Sequence, residues 1–471
     1  MTDIRTGSGP HTASGDRNAR ARAELSSSFT GTVLLPEDPA YHQARGIFNA
    51  MIDRRPAVIA QCETTQDVVK AIGFARDQGL QIAVRGGGHG VAGTALVQDG
   101  LVIDLRRMNQ VSVDLDTYTA RVGGGATMSD LDRGTQPYHL MTTGGRVSTT
   151  GVAGFTLGGG TGWLDRKFGL ACDNLLSVEL VTADGELVRA SEHENPELFW
   201  ALHGGGGNFG VATSLTFALH ELPAVTAAML IWPPERGREV TRAYRDFIDT
   251  APDDIGGGIL YHTGLAEEFM PERLVGALAL GMLVTYTGPE EEAREVIQPL
   301  RDLAPEGEMI AELPYADLQC MLDDPPSYRN YWTAEHIASL PDEAVDRYCA
   351  TAEDMLVPSP TQDALLPMGG AVARAATDYP LPWRGSPWVV HPLAMWEDPT
   401  DDDAARRWVH RIRADMQPWS FGAVYLNFIG DEGEARVIAG FGADNYARLA
   451  AVKARYDPEN VFHFNHNIKP G

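Results

Sequence analysis

The first half of the chain alternates short apolar runs with amphipathic segments. Residues 56–62 form an apolar run that predicts a strand, and residues 64–79 carry apolar side chains at helical spacing behind a threonine that can cap a helix. Residues 81–84 predict a buried strand that leads directly into a glycine-rich segment, and residues 101–105 predict another strand. This order of strand, helix, strand and glycine turn favours a mixed α+β fold.

A different pattern begins near residue 221. Long apolar runs at residues 227–232 and 274–286 alternate with acidic helical segments such as residues 289–303. We expect a second domain there, built of strands that helices cover. Elsewhere the spacing of apolar residues predicts a first helix at residues 39–50 and a C-terminal helix at residues 448–455.

Charge and composition exclude several classes of function. The 471 residues carry a net charge of −26, which repels phosphate backbones and anionic membrane surfaces, so we expect no nucleic-acid or membrane partner. No apolar stretch reaches the roughly 18 residues of a membrane span, and the polar residues 1–22 lack the apolar core of a secretory signal. The four cysteines lack metal-ligand spacing, so we expect free thiols, no metal site and a cytoplasmic location.

Glycine is the outlier of the composition, with 50 residues of 471 against a usual share of about 7%. Its clusters all precede residue 210, at residues 86–88, 123–125, 144–145, 158–160 and 204–207. Glycines after a strand let backbone N–H groups converge on an anion, above all a phosphate. One such cluster is as well explained by a tight turn, but together they predict an extended ligand such as a dinucleotide.

Two common phosphate-binding motifs are missing from the sequence. The chain has no G-x-x-x-x-G-K-[ST] sequence, and its first glycine cluster does not give G-x-G-x-x-G at the start of a helix. A P-loop nucleotidase and a Rossmann nicotinamide site are therefore disfavoured. His89 directly follows the first glycine cluster at a strand end, where an imidazole can act as a nucleophile toward an electrophilic cofactor carbon.

Longer motifs indicate the family that this sequence resembles. In chain order they are RGGGHGVAG, GGRVSTTGVAGFTLGGGTGWLDRKFGLACDN, SVELVTADG, NPELFWALHGGGGNFGV and YDPENVFHFNHNI. As a set they resemble the berberine-bridge-enzyme-like branch of the vanillyl-alcohol-oxidase flavoproteins, and especially its bacterial members. The motifs run from about residue 56 to the end, so the resemblance covers nearly the whole chain.

The resemblance implies an α+β fold in two parts. One is a PCMH-type FAD-binding domain of two α/β subdomains, and the other is a substrate domain whose antiparallel sheet roofs the flavin ring and is covered by helices. The expected divisions are a disordered leader at residues 1–30, the FAD-binding domain at 31–221, the substrate domain at 222–420 and a C-terminal return to the FAD-binding domain at 421–471.

The resemblance further implies FAD held by an 8α-N-histidyl bond to His89. Many members add a second bond from a cysteine, but Val147 occupies that position here, so we expect a single covalent link and, as is usual with one link, a small or medium substrate. Thr161 stands where relatives often have an aromatic residue. The cofactor-binding residues implied are Arg85, Gly86, Gly87, Gly88, His89, Gly90, Gly93, Thr143, Gly144, Val147, Thr150, Gly151, Gly154, Gly159, Thr161, Gly162, Asn174, Gly210, Val211, Asn465 and Asn467.

In this family a substrate carbon that bears a hydroxyl or amine gives a hydride to flavin N5, and a base takes the proton. Residues 423–428, a predicted strand, match the family's Y-x-N segment, which implies Tyr425 as the catalytic base and Asn427 as an orienting residue; a core position for Tyr425 is equally open. His466 is interpreted as structural. Further polar aromatics could line the roof, of which we expect one or two to face the flavin: Tyr261, Tyr286, Tyr328, Tyr331, Trp332, Trp383 and His391.

We therefore expect an FAD-linked oxidase that acts on an alcohol or amine carbon of a small or medium, secondary-metabolite substrate. It would use O2, release hydrogen peroxide and be a monomer or homodimer. The small Thr150 would let O2 approach the ring, which favours an oxidase over a dehydrogenase. It also keeps open the alternative, a flavin-dependent oxygenase or oxidative cyclase on a polyketide- or alkaloid-like intermediate. A non-catalytic flavin-binding protein also remains open. A reductase that binds FAD non-covalently is disfavoured by His89.

Overall fold

The computed structural model describes residues 20–25, 29–323, 327–374 and 378–471, with Arg22 described by its backbone alone. The strands are β1 (Thr32–Leu34), β2 (Val58–Gln61), β3 (Ile82–Arg85), β4 (Leu101–Asp104), β5 (Val111–Asp114), β6 (Thr119–Gly123), β7 (Leu140–Met141), β8 (Leu175–Val181), β9 (Leu187–Ser191), β10 (Val211–Ala218), β11 (His220–Glu221), β12 (Val225–Trp232), β13 (Ile255–Thr263), β14 (Leu278–Tyr286), β15 (Gly307–Leu313), β16 (Arg329–Trp332), β17 (Glu335–Ile337), β18 (Gln362–Pro367) and β19 (Trp388–Trp396).

The α-helices of the described ranges follow the same chain order. They are α1 (Tyr41–Ala44), α2 (Thr65–Asp77), α3 (Met128–Thr135), α4 (Val152–Leu157), α5 (Asp165–Phe168), α6 (Pro196–Ala201), α7 (Gly237–Ile248), α8 (Glu290–Val296), α9 (Gln298–Arg301), α10 (Tyr315–Leu318), α11 (Asp342–Ala352), α12 (Gly370–Arg374), α13 (Asp402–Met416), α14 (Glu434–Phe441) and α15 (Ala443–Tyr456). A π-helical turn lies at Ala21–Leu25, and 3₁₀ turns lie at Gln136–Tyr138, Ala171–Asn174, Gly206–Asn208, Pro234–Arg236, Glu272–Leu274, Pro382–Gly385, Pro399–Asp401, Gln417–Trp419 and Leu426–Phe428. None of these described helices is both long and apolar enough to cross a membrane.

The N-terminal part begins with a four-stranded sheet in the order β1-β2-β4-β3, in which β2, β4 and β3 are parallel. Helix α2 connects β2 to β3 and buries Val68 and Ile72 against this sheet. It begins behind Thr64, whose side chain accepts the Asp67 N–H while the Asp67 carboxylate accepts the Thr64 N–H. This capping box fixes the start of the helix, so the helix predicted at residues 64–79 is confirmed.

The remaining strands before residue 222 build an antiparallel sheet in the order β5-β6-β10-β8-β9 and the two-stranded pair β7–β11. An apolar cluster packs α3, α4 and α6 against the five-stranded sheet. The loops that connect these helices and strands carry most of the glycine clusters, and they meet the loop that follows β3.

The third large unit is an antiparallel sheet of β12 to β19, which we call the roof sheet. Its order is β15-β12-β14-β13-β18-β19-β16, with β17 paired to β19. Side chains alternate between its faces, as on β19, where Trp388 and Val390 pack under α7, α11 and α13 while Val389, His391 and Leu393 face the glycine loops. The roof sheet therefore covers the N-terminal part with one face and buries the other beneath helices.

Two predictions for the first 50 residues differ from the structure. The helix expected at residues 39–50 is only the single turn α1, because the Arg85 guanidinium donates to the carbonyls of Ala44 and Gly46, which a longer helix would use itself. Within the leader expected to be disordered, Ala21–Leu25 forms a helical turn whose Ala21 and Leu25 are buried. Residues 1–19 and 26–28 of that leader lie outside the described residues.

Asp363 of β18 is a buried carboxyl that gives a test of this packing. Thr351 donates to its Oδ2 at 3.2 Å, and its Oδ1 has no hydrogen-bond partner in the described part of the chain. Burial raises the pKa of the carboxyl to about 8. The fold holds the proton up to about pH 8, whereas the unfolded chain releases it near pH 4, so stability is lost as the pH rises between these values. We expect Asp363→Asn to raise the thermal midpoint by about 2–4 °C at pH 8 and by less at pH 5.

Thermal unfolding of the wild type and the variant at both pH values measures this difference. The exposed Asp116 of the β5–β6 turn provides the matched control, because Asp116→Asn removes one carboxylate without touching the core. A shift of equal size at both pH values would show that the Asp363 carboxyl is not held protonated by the fold.

Candidate active site

A long cavity lies between the glycine loops of the N-terminal part and the roof sheet. Its floor comes from the loop after β3, the start of α4 and the turn at Gly206–Asn208. Its ceiling comes from Leu260, Ala364, Leu366 and His391 of the roof sheet. The C-terminal segment closes it, and the described residues nowhere group three or more side chains that could hold a metal ion.

Most of the residues singled out in the sequence line this cavity. They are Gly86, Gly87, Gly88, His89, Gly90, Val147, Thr150, Gly151, Gly154, Thr161, Gly210, Tyr425, Asn427 and Asn465. The other members of the predicted set lie outside its wall, and they are Arg85, Gly93, Thr143, Gly144, Gly159, Gly162, Asn174, Val211 and Asn467. The predicted set is thus divided between the wall and the layer behind it.

Several residues outside the wall brace the loops that form it. The Thr143 hydroxyl donates to the Gly169 carbonyl at 2.8 Å, and the Asn174 amide donates to the carbonyls of Phe168 and Leu170. Arg85 holds the turn after α1, as described above. These polar contacts satisfy loop carbonyls that would otherwise be buried without partners.

The wall glycines are required for two different physical reasons. A Cβ on Gly87 would stand 2.5 Å from the Gly151 nitrogen, so the two loops touch backbone to backbone. Gly154 and Gly207 have ordinary φ angles, and a Cβ on either would meet no protein atom within 4 Å. Glycine at these two positions therefore leaves open space in the cavity rather than permitting an unusual backbone.

His89 presents a neutral imidazole at this cavity. Its ring stacks on Phe48 with 3.9 Å between ring centres, and its shielded Nε2 has no hydrogen-bond partner among the described residues. Burial lowers the pKa of His89 to about 4, so the imidazole is uncharged at neutral pH and keeps a lone pair for nucleophilic attack.

The C-terminal segment carries Tyr425 and Asn427 into the cavity, although it is not the predicted strand. Leu426–Phe428 forms a 3₁₀ turn, and the turn lets Asn427 Nδ2 donate to the Tyr425 hydroxyl at 2.8 Å. The Gly160 N–H donates to the same oxygen at 3.0 Å. Burial raises the pKa of Tyr425 well above its usual value, so the phenol is neutral and both its lone pairs are occupied.

Arg146 is the one formally charged side chain among the described residues of the wall. Its guanidinium donates to the carbonyls of Thr161 at 3.1 Å and Gly162 at 3.0 Å, and it lies 3.8 Å from the Asp165 carboxylate. It also lies over the Trp163 ring at 5.2 Å. The guanidinium also donates to the Thr161 hydroxyl at 3.3 Å, so Thr161 helps to hold Arg146 in place.

The chain between β15 and β16 contacts residues 144–148 through three side chains that lie four residues apart in the sequence. The Gly144 N–H donates to the Tyr315 hydroxyl at 3.1 Å, and the Gln319 amide, with its nitrogen toward Gly145, donates to that carbonyl at 2.6 Å. The Ser148 N–H and hydroxyl both donate to the Asp323 carboxylate at 2.6 Å. This contact fixes the loop that presents Arg146 and Val147.

Two of the seven polar aromatics proposed for the roof, Trp332 and His391, line the cavity. The rings of His391 and Phe428 are stacked with 3.9 Å between their centres. Nδ1 of His391 lies 2.8 Å from the Thr333 carbonyl oxygen, and burial lowers the pKa of His391 to about 3. The other five aromatics lie outside the wall.

Sequence reasoning missed or misjudged three wall residues. Arg146 lies inside a quoted motif but gave no signal of its own, because its contacts are to carbonyls fifteen and sixteen residues away. Asn208 follows the last glycine cluster, and that position was its available signal. His466, interpreted as structural, also borders the cavity, since residues 461–468 are not a strand and the expected alternation of faces does not apply.

Residues 56–191 match the family described as FAD binding domain, and residues 424–469 match the family described as berberine and berberine like. The chain is 31% identical to (R)-6-hydroxynicotine oxidase of Paenarthrobacter nicotinovorans, over 94% of this chain and 97% of that protein. The structure matches 6-hydroxy-D-nicotine oxidase from Arthrobacter nicotinovorans with a TM-score of 0.83 at 28% identity, over 94% of this chain and 99% of that one.

Glucooligosaccharide oxidase from Acremonium strictum, which carries 6-S-cysteinyl, 8α-N1-histidyl FAD, shares the fold with a TM-score of 0.82 at 23% identity, over 96% of this chain and 99% of that one. The resemblance read from the sequence motifs and the α+β fold that it implied are both confirmed. From its fold, its glycine-lined cavity and these relatives, the chain belongs to the berberine-bridge-enzyme-like family of FAD-linked oxidoreductases.

Proposed function

We propose that this FAD-linked oxidoreductase is an oxidase whose FAD is covalently attached through His89. The observation that carries the proposal is the neutral imidazole of His89 at the edge of a cavity lined by glycines, with an Nε2 that no group of the described residues hydrogen-bonds. A neutral imidazole has the lone pair that bond formation to an electrophilic carbon requires.

The residues present fit FAD. Gly154, Gly206 and Gly207 leave a strip of the floor without Cβ atoms, and no protein atom fills the space that their side chains would take. The side-chain amide oxygen of Asn465 is buried at the closing end of the cavity, and none of the described residues hydrogen-bonds it, so it can accept a ligand N–H or O–H. Bound FAD would supply a two-electron acceptor for the hydrogen of a C–H bond and would pass the electrons to O2 as hydrogen peroxide.

Val147 in the cavity wall supports a single covalent link between FAD and the protein. The branched alkyl side chain has no thiol, and none of the described cysteines lines the cavity. The remaining residues of the wall would then bind the cofactor through shape and hydrogen bonds. The sequence-predicted residues behind the wall would support the loops that form it.

Tyr425 and Asn427 would act on the substrate side. Since the phenol oxygen already accepts from Gly160 and Asn427, its O–H is the group left for a ligand, and it can orient a substrate oxygen or nitrogen. To act as the base that the sequence motif indicates, Tyr425 would first have to lose its own proton, and burial disfavours the phenolate although the two donors would bond to it.

The single covalent link and one relative support a proposal for the substrate class. The single link and the side chains that close the cavity favour a small or medium alcohol or amine, such as a secondary-metabolite intermediate. The similarity to (R)-6-hydroxynicotine oxidase makes that amine the first compound to test. The second candidate function is that of an oxygenase or oxidative cyclase. It is supported by the half-buried Thr150 in the wall, because a small polar residue leaves a path for O2.

A peroxide assay across alcohols and secondary amines, including (R)-6-hydroxynicotine, tests the oxidase proposal with the purified holoenzyme. An oxidase gives one hydrogen peroxide for each substrate consumed, with no oxygen atom from ¹⁸O2 in the product. Incorporation of ¹⁸O would favour the oxygenase instead. Flavin that no compound in the panel reduces would favour a binding protein.

Acid precipitation tests the attachment. We expect the yellow flavin to stay in the pellet and to map to the tryptic peptide that contains His89. His89→Ala should release the flavin into the supernatant, because the variant lacks the imidazole to which the covalent link is assigned. The exposed His193 provides the control, and His193→Ala should keep the flavin in the pellet. Flavin that stays bound in His89→Ala would contradict the assignment.

Two variants at residue 147 test whether this side chain lies beside the flavin ring. If Val147 lies where relatives have their cysteine, the double variant H89A/V147C should keep part of its flavin through acid precipitation. The single variant V147C should move the flavin-bearing mass to two peptides joined through the cofactor. Complete loss of flavin from H89A/V147C would place Val147 away from the flavin ring.

Gly154→Ala separates the effect of this glycine on the stability of α4 from its effect on the space available to the cofactor. Alanine in a helix interior stabilises by about 0.5–1 kcal/mol, so we expect the flavin-free protein to become slightly more stable. The added methyl group would enter the open strip of the floor, so the flavin-to-protein ratio should fall. The control is Gly73→Ala in α2, another exposed glycine with nothing within 4 Å, which should raise stability and leave flavin content unchanged.

Tyr425→Phe tests the substrate-side role. The variant should keep its flavin but reduce it roughly 10²-fold more slowly with the best substrate of the panel, measured anaerobically by stopped flow. Loss of the hydroxyl also leaves the Gly160 N–H and Asn427 without their acceptor, so a stability cost of about 1–3 kcal/mol is expected. An unchanged reduction rate would leave Tyr425 as a core aromatic.

A further inference from the structure

We propose that His391 of the roof sheet is the catalytic base, and that its Nε2 accepts the proton of the substrate hydroxyl or amine. This inference rests on the proposed oxidase function, and it assigns the proton-accepting step to a different residue from the Tyr425 indicated by the sequence. It also restricts the substrate to compounds that bring an O–H or N–H to this point of the cavity.

The hydrogen-bond pattern fixes which nitrogen of His391 is free. Nδ1 lies 2.8 Å from the Thr333 carbonyl oxygen, and because a carbonyl can only accept, Nδ1 carries the hydrogen. The lone pair of the neutral ring is therefore on Nε2. Within the described part of the chain, the structure gives Nε2 no hydrogen-bond partner, and the side chain lines the cavity.

The ring is held in this orientation by its neighbours. The Phe428 ring stacks on it at an angle of 8°, and the Trp332 ring meets it edge-on with 5.8 Å between centres. The residue is 3% exposed. Thr333, which holds Nδ1, is itself tied by its hydroxyl to Glu432, and Glu432 pairs with Arg413 and Arg436. The base would thus be preorganised by contacts outside the substrate space.

The neighbouring polar groups do not offer a comparable base. The neutral Tyr425 phenol has both lone pairs engaged, so it can only donate to a substrate. The Asn427 amide oxygen can accept a hydrogen bond but is not basic. Both the Tyr425 and His391 rings contact Phe428, with 4.7 Å and 3.9 Å between ring centres, so a donor and an acceptor pack against the same aromatic ring.

The proton balance of the reaction suits a weakly basic imidazole. The substrate loses its C–H hydrogen with two electrons to the bound cofactor and its O–H or N–H proton to Nε2, which leaves a C=O or C=N bond and an imidazolium. Burial and the charge of Arg146 both disfavour that imidazolium, so His391 is neutral before the reaction. As the hydride leaves, the substrate O–H becomes strongly acidic, so the proton can then move to a base that resists it at rest.

Phenol and anisole test the acceptor role without a known substrate. Phenol differs from anisole by the hydroxyl hydrogen that Nε2 would accept, and binding of either is followed by perturbation of the flavin spectrum in the holoenzyme. We expect phenol to bind about 10-fold more tightly than anisole, and His391→Phe to abolish this preference while flavin content is unchanged. The exposed His410 provides the control, and His410→Phe should keep the preference.

His391→Gln separates hydrogen bonding from proton transfer. A glutamine oxygen can accept the phenol hydrogen but cannot take up the proton, so the phenol preference should remain in part. Anaerobic flavin reduction by the best substrate of the peroxide panel should fall by roughly 10²-fold or more. Reduction at the wild-type rate in either His391 variant would overturn the assignment.

The outcomes distinguish this proposal from the function on which it rests. Purified protein that contains no flavin, or bound flavin that no compound reduces, would contradict the proposed oxidase. Flavin that is bound and reducible, together with equal or undetectable binding of phenol and anisole to the wild type, would contradict only the role of His391.

Discussion

The backbone contact between Gly87 and Gly151 is the constraint on which the site depends. Gly87 follows β3 of the four-stranded sheet, and Gly151 immediately precedes α4 beside the five-stranded sheet, so their contact joins the two N-terminal units. Any side chain at Gly87 would separate them. Because the two loops touch here, His89 and Gly154, two and three residues further along each chain segment, face the same cavity.

Local signals in the sequence were sufficient for much of this architecture. Helix α2 could be predicted because its capping box and apolar spacing lie within the helix itself. His89 could be selected because the glycines beside it leave a side chain there exposed to a ligand. The division of the chain at residues 31, 222 and 421 stays a prediction, since it depends on how the units are defined rather than on one contact.

What the sequence could not reveal depends on distant partners. The helix expected at residues 39–50 ends early because of Arg85, 41 residues away from Ala44. Alternation suggested a strand around Tyr425, but alternation cannot distinguish a strand from a turn that also brings two side chains together. Asn467 lies outside the wall while Asn465 lies within it, because the tail follows irregular backbone instead of an alternating strand.

The spacing of Tyr315, Gln319 and Asp323 has a consequence for protein engineering. These three side chains come from the chain between the roof sheet's strands, yet they bond the backbone of Gly144, Gly145 and Ser148 in the N-terminal part. A chimera that grafts a relative's substrate-side half onto this cofactor-side half must therefore inherit both members of each contact. A crossover in the loop near residue 222 would leave every sheet intact, but it would take the two sides of these contacts from different parents. A library of such hybrids therefore needs crossovers that keep residues 144–148 and 315–323 from one parent.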